Sequence, residues 1–273
     1  MHTPARTLSI GIAMVCLTGN VRHRSYRNVD RPYARDTEVQ LALRYCEIAA
    51  RHHVKVTMFI TGKACIEEQN GVGNLSRQAN AELGGHTFCA FQSVRHWLSR
   101  TLGGSALGSA AMQRRDIEQT IAAIQSVTGK RITVWRNHAS RSDVRTYRLL
   151  GDCGIRLVSD RITEHTTAVE RVSQELLSLP INTLPDHEQL LHGKYAERRS
   201  GSAAAHGRRT IQEWRETVEQ QVHTIEQLGG IATITAHPLC MDIADHMHEF
   251  EQLCRFLSHY ETRWASEVIH PGG

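Results

Sequence analysis

Histidine sets this chain apart: there are seventeen in 273 residues, and several stand just beyond an apolar, β-rich run. Thr18, Asn20 and His23 follow the first such run, His86-Thr87 the third, Arg136-Asn137-His138 the fourth and Asp160 the fifth. Asp186-His187-Glu188 follows the sixth and His237-Pro238 the last. In β/α barrels and open α/β sheets the active site lies at the carboxyl ends of the strands. These runs therefore gather imidazoles, carboxylates and a guanidinium around one mouth. Such a set suits a divalent metal with open coordination positions, or proton transfer by general acid–base catalysis.

The elements that must hold these residues alternate between strand-like and helix-like patterns. Leu8 to Thr18 reads as the first strand, Val54 to Ile60 as the second, and a weaker strand reaches Gly84 to Phe88. Arg131 to Trp135, Ile155 to Asp160, Leu176 to Leu184 and Ile231 to Thr235 follow. A helix capped by Asp36 carries Val39, Leu43, Cys46 and Ala50 at helical spacing, and Ile117, Ile121 and Ile124 mark another, closed by Gly129. Arg141 to Leu150 reads as a short helix, Thr210 to Glu213 as a capping box opening a longer one, and Ile243 to Leu257 as the last. The polar stretch after Gly62 and the segment Glu188 to Arg209 read as loops, the second a long excursion. This β-α alternation predicts a mainly parallel sheet or barrel, with residues 1–273 forming one domain.

Composition removes several function classes. An apolar share of 40% with 22% charged residues excludes a disordered chain. The net charge is +4, the arginines are scattered, and no basic stripe carries interleaved aromatics, so nucleic acid is not an expected partner. No apolar run is long enough to span a bilayer, and the first apolar segment lacks a cleavage site, so a cytoplasmic protein with no membrane partner is expected. Cysteines 16, 46, 65, 89, 153, 240 and 254 form no CxxC pair and read as reduced, mostly buried thiols. No GxSxG elbow is present, and neither Gly103-Gly104-Ser105-Ala106-Leu107-Gly108 nor Gly71-Val72-Gly73-Asn74 has the context of a phosphate or dinucleotide cradle.

The order of elements and four short motifs resemble the polysaccharide deacetylase (NodB-homology) family, over about residues 8 to 258. Val56-Thr57-Met58-Phe59-Ile60-Thr61-Gly62 is similar to that family's second-strand signature, and Gly85-His86-Thr87 to the start of its metal motif. Thr128-Gly129 followed by Trp135-Arg136 resembles the approach to its arginine motif, and Ile234-Thr235-Ala236-His237-Pro238 its closing motif. The resemblance implies a distorted (β/α) barrel that hydrolyses acetyl groups on sugars with a bound divalent transition metal, zinc in the first place. It implies that His86 is a metal ligand and His237 the general acid.

The chain also departs from that pattern. The family's first motif carries two adjacent aspartates, one a base and one a ligand, where this chain reads Leu17-Thr18-Gly19-Asn20. Asn20 stands at a carboxylate's place, and an amide cannot serve as a base. The second metal histidine is expected four residues after His86, where Ala90 stands. One reading is a rebuilt centre. His138 and His23 join His86 as ligands, Asp186 is the base or orients a histidine, Arg136 holds that carboxylate or the substrate, and His237 protonates the leaving amine. The other is a degenerate member that binds a sugar derivative or partner without hydrolysing it. Low aromatic content, 5%, favours a small acylated sugar-like substrate over a long polysaccharide. The Arg22 to Arg27 loop offers cations for a phosphate or carboxylate on it.

Overall fold

The computed structural model describes residues 14–103, 107–193 and 208–269. Among them nine strands form one sheet: β1 (Met14–Val21), β2 (Val56–Ile60), β3 (Ala81–Gly85), β4 (Val134–Trp135), β5 (Leu157–Val158), β6 (Glu170–Arg171), β7 (Leu177–Ser178), β8 (Ile231–Thr235) and β9 (Glu261–Thr262). The spatial order is β6-β7-β5-β4-β3-β2-β1-β8, with β9 against β1. Every pairing is parallel except β6 with β7. The eight strands of this path curl around an axis as a half-barrel of the deacetylase type, the α/β architecture expected from the sequence. Leu8 to Ala13, Gly104 to Ala106 and Lys194 to Gly207, which belong to the expected first strand, the glycine-rich run and the excursion loop, lie outside the described residues.

β1 is the axis of the sheet. From Val15 to Val21 it is wholly buried, flanked on one edge by β8 and on the other by β9 and then β2. A strand covered on both faces reads as a continuous apolar run, which is why it was legible. At the neighbouring pair, Gly85 faces Trp135, whose ring would sit 2.2 Å from a Cβ at Gly85. Only glycine lets the indole lie across the end of β3, at the residue before His86.

The outer edge of β8 is met by the Thr167 carbonyl, the Thr183 hydroxyl and, at two points, the side chain of Asn182. Asn182 Nδ2 donates to the Ile231 carbonyl and Asn182 Oδ1 accepts from Thr233 N, both at 2.8 Å. The amide thus offers one donor and one acceptor as a peptide unit of a ninth ladder would. The expected strand from Leu176 to Leu184 shrinks to two residues, because Pro180 has no N–H to continue it.

Several helix expectations also change. α1 (Glu38–Arg51) is capped by Thr37, with a full capping box to Gln40, one residue after the expected Asp36. The stretch read as a loop after Gly62 folds as α2 (Gly62–Glu67) and α3 (Gln69–Arg77), and α4 (Val94–Gly103) forms where no helix was expected. Glycines 71 and 73 weaken the helical pattern of α3, but burial of Val72 and Leu75 stabilises it. α5 (Ala110–Thr128) ends at Gly129 with φ +70°, α6 (Val144–Asp152) follows, and α7 (Ile211–Gln227) starts at the Thr210–Glu213 capping box and buries Trp214, Val218, Val222 and Ile225. The single last helix is two, α8 (Pro238–Asp245) and α9 (His248–Leu257), because His246 and Met247 take left-handed φ of 58° and 69°. All seven cysteines are buried free thiols. Among the described residues no helix is long and apolar enough to cross a membrane.

Asn182→Ala leaves the Thr233 N–H and the Ile231 carbonyl without these partners, and each buried orphan costs about 1–3 kcal/mol. Urea unfolding is expected to show a loss of about 2–4 kcal/mol, and a loss below about 0.5 kcal/mol would mean that the edge is closed by other contacts.

Candidate active site

His237 stands two residues beyond β8, at the N-cap position of α8. The Asp186 carboxylate grips it twice: Oδ2 accepts from the His237 backbone N–H and Oδ1 from Nδ1–H, both at 2.6 Å. Asp186 is fully buried. Burial works against its charge, but His237 and these two hydrogen bonds outweigh that and hold its carboxyl below the usual carboxylate range. With Nδ1 carrying the proton, His237 Nε2 is left as a lone pair. Asn20 Nδ2, from β1, donates to it at 2.8 Å.

Arg136 sets the direction of that amide. It follows β4, is 1% exposed, and donates from Nε to the Ser159 carbonyl at 2.5 Å and from Nη2 to Ser159 Oγ at 2.8 Å. Its guanidinium lies 4.5 Å from the Phe59 ring centroid, and Nη1 faces Asn20 Oδ1 at 3.4 Å. Burial pushes its pKa down to about 9, against the pull of Asp160 and Asp186, so it remains a cation at neutral pH. No carboxylate forms an ion pair with it among the described residues. Asp160 instead takes Ser142, Tyr147 and Asn137 as donors. The result is an ordered row: Arg136 donates to Asn20, Asn20 to His237, and His237 to Asp186.

A second row stands beside the first. His86 Nδ1 donates to the Arg136 carbonyl at 2.9 Å, which leaves its Nε2 to accept from His138 Nδ1–H at 3.2 Å. The Tyr26 hydroxyl then donates to His138 Nε2 at 3.1 Å. Burial drives both imidazoles away from the cationic form, His86 well below the ordinary range and His138 to about 3. The loops that carry them bend through left-handed φ at Thr87, 62°, and Ala139, 54°, a strain held by the surrounding structure.

Both rows line a cavity of about 590 Å³ whose floor is Asn20, His86, Arg136, His138 and His237, and whose wall includes Ile162, Ile181, Leu184 and Pro185. The structure therefore brings together Asn20, Arg136, Asp186 and His237, and sets His86 against His138. It does not bring His23 to them. His23 Nδ1 lies 3.4 Å from Thr61 Oγ1 and faces a separate cavity of about 700 Å³ with Arg27, Lys63 and Cys89. Burial first, then the Lys63 charge, lowers its pKa to about 4. Tyr26 and Ser159 were missed by the sequence reading. Tyr26 lies within an arginine-rich loop, and Ser159 is the inconspicuous neighbour of Asp160.

The expected three-ligand metal centre does not fit this mouth. Two imidazoles face one another there, Asn20 stands where a carboxylate was expected, and the third donor lies in another cavity. Among the described residues, the triads of donor atoms close enough to share an ion are His187, His192 and Cys240, and Asp186, His237 and Cys240, and neither includes His86, His138 or His23.

Residues 35–158 match the polysaccharide deacetylase family model. Among solved structures, a protein from Mycobacterium smegmatis assigned as a polysaccharide deacetylase superposes with a TM-score of 0.74 at 16% identity, covering 98% of this chain and 92% of that one. An allantoinase, Puue, superposes at 0.68 with 12% identity, covering 96% and 90%. A deacetylase-family pseudoenzyme from Bacillus anthracis superposes at 0.52 with 15% identity, covering 95% and 66%. At these identities the likeness is one of fold. A search of curated proteins gives no match.

His138 ties acid sensitivity to this site. Unfolded, an imidazole protonates near 6.5, whereas folded His138 does so near 3. Between those values the unfolded chain binds a proton that the folded chain refuses, so stability present above pH 6.5 declines as pH falls. His138→Gln is expected to remove about 2 kcal/mol of the stability lost between pH 6.5 and about 4.5, read by urea unfolding at both values. Parallel losses in the two proteins would refute this assignment.

Proposed function

We propose that this chain is a member of the polysaccharide deacetylase family, whose model matches residues 35–158, and that its cleft takes a small acylated, carbohydrate-like molecule and hydrolyses its amide or ester through the Asp186–His237 pair. The observation that carries this reading is the 2.6 Å contact between Asp186 Oδ1 and His237 Nδ1, from which the tautomer of His237 follows. Asp186 holds Nδ1–H, so Nε2 presents a lone pair at the cavity floor, the arrangement of a general base with its orienting carboxylate. The rebuilt metal centre is not part of this reading, since His23 lies apart from His86 and His138.

The steps balance on this chain's own groups. A water entering between Asn20 and His237 gives its proton to Nε2 as its oxygen attacks the acyl carbon. Asn20 Nδ2, released from the imidazole and backed by the Arg136 cation, donates to the oxygen on which negative charge develops. The imidazolium, stabilised by Asp186, then returns the proton to the leaving nitrogen or oxygen as the bond to the acyl carbon breaks. The aspartate-to-asparagine change at position 20 thus converts a base position into a donor for an oxyanion. A cavity of about 590 Å³ with one apolar wall suits a short acyl group on a single sugar-sized unit.

A second reading, binding without turnover, is favoured by Asn20 itself, since the family's base position carries no carboxylate. One series separates the two, using hydrolysis of acetylated hexosamines and short-chain acyl esters. On the first reading His237→Ala lowers kcat about 10²–10⁴-fold and Asn20→Ala about 10²–10³-fold. Asn20→Asp also lowers it, because a carboxylate in place of the amide removes the donor to the developing oxyanion and sets a negative charge beside it. If instead the natural chain is inert, binds the same panel calorimetrically, and gains turnover with Asn20→Asp, the second reading holds and the first fails.

A further inference from the structure

Three residues beyond His237, Cys240 is fully buried in the first turn of α8. Its Sγ lies 3.3 Å from Nδ1 of His187, the residue that follows Asp186. His192, 1% exposed, completes a group whose ligand atoms all lie within 4.8 Å of one another. Its Nδ1 donates to the Leu190 carbonyl at 3.1 Å, which fixes the ring and turns Nε2 toward Asp30 Oδ2, 4.0 Å away.

Asp30 points to what the group is for. It is 1% exposed, and among the described residues neither carboxylate oxygen has a hydrogen-bond partner. The chain also passes tight against it: Gly193 has φ +49°, and a Cβ there would meet Asp30 Oδ1 at 2.7 Å. A carboxylate removed from water without donors calls for a positive charge beside it. The Arg22 guanidinium pairs its Nε with both oxygens of Glu38, at 2.8 and 3.0 Å, and although its buried Nη2 has no hydrogen-bond partner, it makes no ion pair with Asp30 among the described residues.

We infer that Cys240, His187 and His192 form a buried site for one divalent transition-metal ion of the zinc class, with the Asp30 carboxylate as its fourth ligand. A thiolate, two imidazoles and a carboxylate are a donor set for zinc or cobalt, and the two negative ligands cancel the dication. An imidazole that ligates a metal donates its other N–H to a carbonyl or carboxylate, as His192 does to Leu190. Binding expels the Cys240 thiol proton to solvent, since the thiolate is the ligand. The alternative triad, Asp186, His237 and Cys240, is already spent, because both Asp186 oxygens are held by His237. The ion enters past His187, which also lines the cleft, and fastens the segment after Asp186 to the helix that carries His237. It is a positioning element, independent of whether the cleft hydrolyses its ligand.

The test reads the metal and needs no activity. The full chain is purified, its metal content measured by plasma mass spectrometry, and the metal exchanged for cobalt(II) to look for a thiolate-to-cobalt charge-transfer band. About one ion per chain is expected, together with the band. Both should vanish in Cys240→Ser and His192→Gln, and both should persist in the double variant His86→Gln/His138→Gln. Circular dichroism establishes which variants fold, and the cobalt band of the natural chain stands even if a variant does not. A folded natural chain that takes up neither zinc nor cobalt overturns the inference. So does a band that survives Cys240→Ser, or metal lost from the double variant.

Discussion

The carboxylate of Asp186 is the constraint from which the site is built. It is wholly out of water, and an ion there persists only with donors aimed at it. Both donors come from His237, so burial of one residue dictates the tautomer, orientation and exposed lone pair of the other. That lone pair in turn asks for a donor, which Asn20 supplies, and the Asn20 carbonyl asks for another, which Arg136 supplies. Four side chains from four separate stretches of chain are thereby locked by a single electrostatic demand. The half-barrel serves this by bringing the ends of β1, β4 and β8 to one mouth.

Arg136 shows how a position can change its chemistry without losing its geometry. A buried guanidinium beside a carboxylate is an ion pair; beside an amide it is a cation that orients a dipole. Phe59 under its face and the two Ser159 contacts hold it in place whichever partner stands at position 20. The same frame can therefore carry either residue, and the nature of the proton acceptor shifts to His237. This separation of frame from reacting group is consistent with the reach of the fold, whose solved examples include an allantoinase and a pseudoenzyme as well as proteins assigned as deacetylases.

Much of this was readable from residue order alone. β1, β2 and β8 are long apolar runs buried on both faces, and their polar ends announced Asn20 and His237. Asp186, offered either as a base or as the residue that orients a histidine, stands against His237 in the second arrangement. What stayed hidden has a physical cause in each instance. His23 sits at a strand end like the others, but the turn after β1 aims it at Thr61 and a second cavity, and no spacing rule reports the direction of a loop. α3 was obscured by its glycines, and its helicity comes from burial against neighbours that only the tertiary fold supplies. The grouping of His192 with Cys240 spans a long sequence separation, which a local pattern cannot carry.

The seven buried thiols bear on how the chain ends its life as well as how it is held together. Inside the fold, burial keeps Cys46, Cys65 and Cys254 protonated and inert. One opening event exposes all of them at once, returns them to ordinary acidity, and makes them nucleophiles toward each other and toward oxidants. In air, an unfolded molecule is thus chemically trapped faster than a chain without thiols, and persistence becomes a matter of how seldom the barrel opens. A reducing medium is a condition of its reversibility.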